Sequence, residues 1–139
     1  MGDAAGPLIA SIGQPALCWI AAWLGDTLAG AIGFETIVDA GVVCALGVAP
    51  AMRRSGIGAA LVDAVRKAAR TRGVRRLYAI APRGNPFLQR FGYQPVNRAA
   101  LTDDLAGSFV GDYLRSNRQE LERFETCCLD ISGDGLIER

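Results

Sequence analysis

The chain has 139 residues, half of them apolar and 21% charged, with a net charge of +1 and no histidine. That length can bury a real core in one domain, residues 1–139. The balanced charge gives no long-range attraction to nucleic acid or to an acidic membrane, so an anion site has to be built locally. Without histidine, Ser-His and Cys-His nucleophilic catalysis are excluded. Acid–base work falls to a carboxylate, tyrosine, cysteine, lysine or water. The cysteines Cys18, Cys44, Cys127 and Cys128 lack zinc-ligand spacing and read as free thiols, with no metal expected. No apolar run is long enough to span a bilayer, and the first residues carry no basic signal-peptide region, which predicts a cytoplasmic protein.

In chain order, residues 1–15 are rich in Gly, Ala and Pro without a clear period, and are expected to form a weak arm or short helix. Leu17 to Leu24 reads as a buried strand carrying Trp19 and Trp23, and Gly25-Asp26 as a turn. Thr27 to Thr36 is a second strand, whose Ala29-Gly30-Ala31 run predicts close packing against another element. After a turn at Val38–Gly41, Val42 to Val48 is nearly all apolar and is expected to be buried on both faces. Pro50 ends it.

From Ile57 to about Arg72, apolar residues recur every three and four positions, the stripe of an amphipathic helix. Gly73 sits where a C-terminal cap belongs. Val74 to Ala81 is the next strand, parallel to Val42–Val48 because the connection is a strand–helix–strand crossover. Phe87 to Phe91 fits a short helix stopped by Gly92, and Tyr93 to Val96 begins a strand. Asp103 to Phe124 contains helical stretches broken by Gly107 and Gly111. Thr126 to Ile131 is a final strand, and residues 132–139 a tail. The order describes a mixed α/β sheet around one parallel crossover.

The junction at Val48–Leu61 carries the functional signal. An apolar strand ends at a proline, Arg53-Arg54-Ser55-Gly56-Ile57-Gly58 follows, and a helix starts at once. The first N–H groups of a helix have no intrahelical partner, and the macrodipole adds about half a positive charge there. Glycines let an anion approach the backbone. A Rossmann reading of Gly56-Ile57-Gly58 is weaker, because Leu61 occupies the third glycine position and three strands precede the loop. A P-loop is excluded by the absence of Gly-Lys-Ser/Thr.

The segment Arg53–Gly58, in this strand–loop–helix context, resembles motif A of the GCN5-related N-acetyltransferases, Gln/Arg-x-x-Gly-x-Gly/Ala. Pro86-Phe87-Leu88-Gln89-Arg90-Phe91-Gly92-Tyr93 looks like the closing motif of that family. Leu77–Tyr93 is similar to the small arsinothricin- and glutamate-type enzymes. The resemblance implies a mostly antiparallel mixed sheet with one splayed parallel pair, flanking helices and a shortened N-terminus. It implies acetyl-CoA as donor, its pyrophosphate on the N–H groups of Arg53, Arg54, Ser55, Gly56, Ile57, Gly58 and Ala59. The pantetheine arm would lie along Leu46, Gly47 and Val48, with Gly47 allowing a close fit or a bulge. The Leu46 N–H would point at the thioester carbonyl as an oxyanion-type donor.

The resemblance also shows departures. Family positions that often hold a glutamate, a tyrosine and an asparagine fall on Val42, Leu88 and Ala81. Glu35, at the end of the second strand, is the best remaining candidate base, directly or through water. Tyr78 and Cys44 are weaker candidates. Too few residues precede Leu17 for the strand and two helices with which the family begins. A missing first strand would expose a sheet edge, and a homodimer is expected to cover it. The implied activity is transfer of acetyl to the primary amine of a small molecule by direct attack in a ternary complex. The alternative is an acyl-CoA-binding protein that has lost its acid–base set.

Overall fold

The computed structural model describes residues 8–13, 17–53, 55–84 and 86–132. The turns read from the sequence organise its first half. β1 (Leu8–Gly13), β2 (Leu17–Leu24), β3 (Thr27–Ile37) and β4 (Ala40–Val48) form an antiparallel meander. Gly25 turns β2 into β3 with φ of 62°, a value glycine adopts without strain. α1 (Ile57–Thr71) then crosses over to β5 (Arg76–Pro82), which pairs parallel to β4. β6 (Gln94–Pro95), α2 (Arg98–Asp104), α3 (Phe109–Ser116), α4 (Arg118–Arg123) and β7 (Phe124–Asp130) complete the order. The sheet runs β1-β2-β3-β4-β5-β7-β6, and β4/β5 is its parallel pair.

Strand alternation splits the core in two. Residues of period 2 on β5 and β7 send Leu77, Ala79 and Cys127 to one face and Tyr78, Ile80 and Cys128 to the other. The first face buries the α1 stripe Ile57, Leu61, Val62, Val65 and Ala69. The second packs against Leu101 and Leu105, from α2 and the turn after it, and Leu114 of α3. The close packing expected at Ala29–Ala31 is seen at Gly30. A Cβ there would stand 2.8 Å from Gly47 O and about 3 Å from Ile57 and Leu61 side chains. Gly30 therefore lets the start of α1 sit directly on the sheet.

Three expectations are corrected. The N-terminal segment is not an arm or helix: Leu8–Gly13 is a strand with a full antiparallel register on β2, from Leu8↔Trp23 to Gly13↔Cys18. The first strand is therefore present, and the outer edge of the sheet is β1 rather than β2. Its residues, Leu-Ile-Ala-Ser-Ile-Gly, show no strict apolar–polar alternation, so backbone pairing rather than side-chain period defines it. In the second half, α2 begins at Arg98, capped by Asn97, whose side chain accepts from Ala99 N–H at 2.8 Å. Gly107, with φ of 93°, separates α2 from α3, whereas Gly111 lies inside α3, where a Cβ would strike Leu105 O. The proposed tail begins at Ser132, and residues 133–139 lie outside the described residues.

One polar cluster ties α2 to the sheet. Asp104 accepts from Arg76 Nε at 2.7 Å and from the Tyr78 hydroxyl. Burial alone would raise the Asp104 pKa, but the hydrogen bonds from Arg76 and Tyr78 outweigh it and hold the carboxyl below its ordinary value. The carboxylate thus stabilises the fold above its unfolded pKa of about 3.9, and that share is lost as pH falls through the lower folded value. Asp104→Asn should cost about 1–2 kcal/mol at neutral pH in urea unfolding, below the roughly 1.5–3 kcal/mol of buried hydrogen bonds to a charged group because solvent screens this half-exposed pair. The difference from wild type should shrink toward about pH 2. A gap of unchanged size there contradicts the assignment.

Candidate active site

The sheet opens where β4 leaves β5. Their parallel register runs through Ala40↔Arg76, Gly41↔Leu77, Val42↔Tyr78 and Val43↔Ala79 and then stops. At the same point the β3–β4 register shifts: Phe34 opposes Val43, Gly33 opposes Ala45, and Cys44 is the extra residue of a β-bulge. A bulge bends its strand and increases the local twist. β4 continues on β3 while β5 continues on β7 to Pro82↔Phe124, so a gap opens between them. Two readings change here. The bulge lies at Cys44, not at Gly47. The apolar run Val42–Val48 is buried only at its start: Val42 is fully buried, but Leu46 is 40% exposed because no strand lies beside it.

The backbone at the gap has a defined direction. Ala49 N–H donates to Ala29 O at 2.8 Å, which makes that pair a hydrogen-bonded one. Opposed residues of an antiparallel ladder alternate between bonded and non-bonded pairs. Gly47, opposite Ala31, therefore faces β3, while Leu46 and Val48, opposite Ile32 and Gly30, turn their N–H and C=O groups toward the gap. A cavity of about 580 Å³ fills this space. Its walls come from β4 (Val43, Cys44, Leu46), β5 (Ala79 to Pro82), Val62 of α1, Phe87, Leu88 and Tyr93, the α3 residues Phe109, Val110, Tyr113 and Leu114, and Phe124.

Beside the gap, the loop delivers a bare helix N-terminus. Pro50–Met52 forms one 3-10 turn, and the Ser55 hydroxyl donates to Met52 O. Gly56 caps α1 in the left-handed region, with φ of 87° and no side-chain hydrogen bond. Ala60 N–H reaches Gly56 O at 3.0 Å, so the N–H groups of Ile57, Gly58 and Ala59 precede the first intrahelical bond. The first turn holds no acidic residue. A Cβ at Gly58 would touch the Phe87 ring at 3.4 Å and Val48 at 3.9 Å, which places this turn at the mouth of the gap. Arg53 and Ser55 are exposed on the loop, and Arg54 lies outside the described residues.

Glu35 is held elsewhere. It is 6% exposed and is not part of the cavity wall. Its two carboxylate oxygens accept from Phe109 N–H at 2.6 Å and Val110 N–H at 2.7 Å. Ser108 Oγ accepts from Gly111 N–H at 2.9 Å, so the first three N–H groups of α3 are satisfied. The residue expected as a base is thus a cap that fixes a cavity wall, and sequence reasoning missed this because its partners lie 74 and 75 residues away. Tyr78 points to the α2 side and donates to Asp104; burial, and then that hydrogen bond, raise its pKa. Cys44 does line the cavity. Burial, and then the Glu35 charge, push its thiol above its ordinary pKa. Tyr93 is a missed wall residue whose buried hydroxyl has no partner among the described residues.

Residues 4–93 match the acetyltransferase (GNAT) family model. The chain belongs to that family. Comparison with curated protein sequences finds no match. Among solved structures, N-acetylglutamate synthase from Neisseria gonorrhoeae, complexed with coenzyme A and N-acetyl-glutamate, superposes with a TM-score of 0.64 at 23% identity over 81% of this chain and 25% of that one. A Mycobacterium tuberculosis protein in complex with CoA gives 0.64 at 22% identity over 81% and 75%. The ribosomal-protein-S18-alanine N-acetyltransferase from Escherichia coli gives 0.61 at 17% identity over 87% and 72%. The chain spans about a quarter of the length of the Neisseria synthase.

Acetyl-CoA is the donor of this family, and the residues present fit it. Three outward N–H groups without an acidic neighbour suit a pyrophosphate, and an open strand edge suits the amides of a pantetheine arm. Ala59→Glu separates this from a plain helix cap. A carboxylate in the first turn should hold or raise thermal stability, by about 0.3–1 kcal/mol. It should weaken CoA binding about tenfold or more by calorimetry. Unchanged CoA affinity means that the pyrophosphate lies elsewhere.

Proposed function

We propose that this chain transfers the acetyl group of acetyl-CoA to the primary amine of a small molecule by direct attack in a ternary complex. The observation that carries this reading is the parting of β4 from β5 at the Cys44 bulge, which leaves the Leu46 and Val48 N–H groups facing an apolar cavity beside an uncapped helix. In this arrangement Ile57, Gly58 and Ala59 bind the pyrophosphate, with Arg53, Ser55 and Gly56 in the loop before them. Val48 and Gly47 flank the pantetheine arm. The Leu46 N–H donates to the thioester oxygen as negative charge grows on it. One such preorganised donor in a dry site supports a rate gain of about a hundredfold.

The acceptor nitrogen attacks the carbonyl carbon, a C–N bond forms, the C–S bond breaks, and the thiolate leaves and takes up a proton. The amine loses one proton to solvent. No carboxylate or histidine side chain stands in the described cavity wall, and Glu35 is occupied by α3, so water is the proposed base. Cys44 is a poor relay nucleophile, because burial disfavours its thiolate.

The same wall also favours the alternative, CoA binding without turnover, since its described residues include no carboxylate and no histidine. Two further parts of the proposal concern assembly and compartment. Among the described residues β1 leaves an open strand edge, and neighbouring Leu17 and Trp19 are exposed, surface that a second copy of the chain would cover. Among the described residues no helix is long and apolar enough to cross a membrane. Cys44, Cys127 and Cys128 are free thiols, which suits the reducing cytoplasm.

Thiol release from acetyl-CoA, followed against pH, tests the chemistry. Initial-rate lines should intersect, and log kcat/KM should rise with unit slope toward the amine pKa, about 10 for an alkylamine. Glu35→Gln should lower stability by about 1–3 kcal/mol through a loosened α3 and leave that slope unchanged. A slope that flattens near neutral pH in wild type and disappears in Glu35→Gln restores Glu35 as base. Parallel initial-rate lines contradict direct attack, and CoA binding with no release under any condition supports the alternative.

A further inference from the structure

We infer that the acceptor is an apolar monoamine with an aromatic body, an arylalkylamine, bound against α3. This rests on the transferase reading above. The cavity straddles the sheet. Val62, Phe87, Leu88 and Tyr93 lie on the α1 side, where the coenzyme loop opens. Phe109, Val110, Tyr113 and Leu114 come from α3, on the opposite face. A donor entering from the α1 side brings its thioester into the gap at Leu46, so the acceptor approaches from the α3 side.

The α3 side is built for an apolar body. Phe109 is 78% exposed and Tyr113 51% exposed, yet both border the cavity, and Phe124 closes it from β7. Three aromatic rings around one opening favour an aromatic guest, since each ring offers about 150–250 Å² of surface to bury. Their faces also attract an arriving ammonium group. The positions of Phe109 and Val110 are not left to chance, because Glu35 grips the N–H of each.

The same wall rejects charged acceptors. No Lys, Arg, Asp or Glu side chain is among its described residues. A carboxylate carried into it, as on glutamate, would lose water with no cation in the wall to meet it, and a second ammonium, as on a polyamine, would find no carboxylate in the wall to pair with. Both oxygens of Glu35 are already taken. Desolvating such a charge without a partner is strongly unfavourable. The Neisseria synthase, solved with N-acetyl-glutamate, shares the fold at 23% identity, and fold similarity at that level does not transfer the acceptor.

The test compares 2-phenylethylamine, L-glutamate, spermidine and a short peptide with an N-terminal alanine at saturating acetyl-CoA. For 2-phenylethylamine, kcat/KM should exceed each of the others by at least tenfold. Phe109→Ala and Tyr113→Ala truncate exposed rings, so both variants should fold. Each should raise the KM for 2-phenylethylamine about five- to tenfold and leave the KM for acetyl-CoA within twofold. Preference for glutamate, spermidine or the peptide overturns the acceptor class while leaving the transferase reading standing. An unchanged amine KM in both variants overturns the α3 wall as the binding surface. Thiol release with none of the amines, while calorimetry still shows acetyl-CoA binding, overturns the acceptor class and the transferase reading together.

Discussion

Everything at the site depends on two strands that start as partners and separate. β4 and β5 share four register pairs, and the ladder ends at Val43↔Ala79, where the extra residue Cys44 bends β4 away. Each strand keeps its other neighbour, so the separation costs only ladder bonds along one edge. Buried backbone groups without partners are rare in folded proteins. An edge left open inside a cavity is therefore a surface waiting for another set of amides. Leu46 and Val48 present that edge through their backbones, so the chemistry needs little from their side chains. This accounts for a functional strand that reads as an ordinary apolar run.

A second contrast sorts the helix ends into structural and functional ones. α3 begins with its first three N–H groups all bonded, two by Glu35 and one by Ser108. α1 begins at Gly56 with no side-chain cap and no acidic residue in its first turn. The same helix dipole is consumed internally at α3 and left available at α1. The two ends lie on either side of one gap; in the proposed function the open one faces the donor, and the closed one holds the wall that faces the acceptor. Glu35 connects fold and function in this way without entering the cavity. Gly30 does the same on the other face by allowing α1 to rest on the sheet.

The sequence was legible where chemistry is local. The loop Arg53–Gly58, the stripe of α1 and the crossover to β5 all depend on neighbours within a few residues, and each was readable. The family, the mixed sheet and the donor followed from that segment. The parts that were not readable depend on distant partners. Glu35 looked available as a base because Phe109 and Val110, the groups that occupy it, are far along the chain. The Cys44 bulge is a register shift between strands, and no residue type in Val42–Val48 signals it. β1 was hidden because Leu8–Gly13 is defined by its pairing with β2 rather than by an apolar period. The aromatic wall could have been suspected from Phe109, Tyr113 and Phe124, but only the fold brings them to one opening.

The central claim is that one coenzyme spans the open edge of β4 and the bare end of α1. Backbone amide NMR during a CoA titration tests it most directly. The largest shifts are expected at Leu46, Val48, Ile57, Gly58 and Ala59, with Phe109 and Val110 little changed because Glu35 already holds them. Saturable binding that leaves the amides of Leu46 and Val48 unmoved, or that shifts α3 in place of α1, would contradict the account.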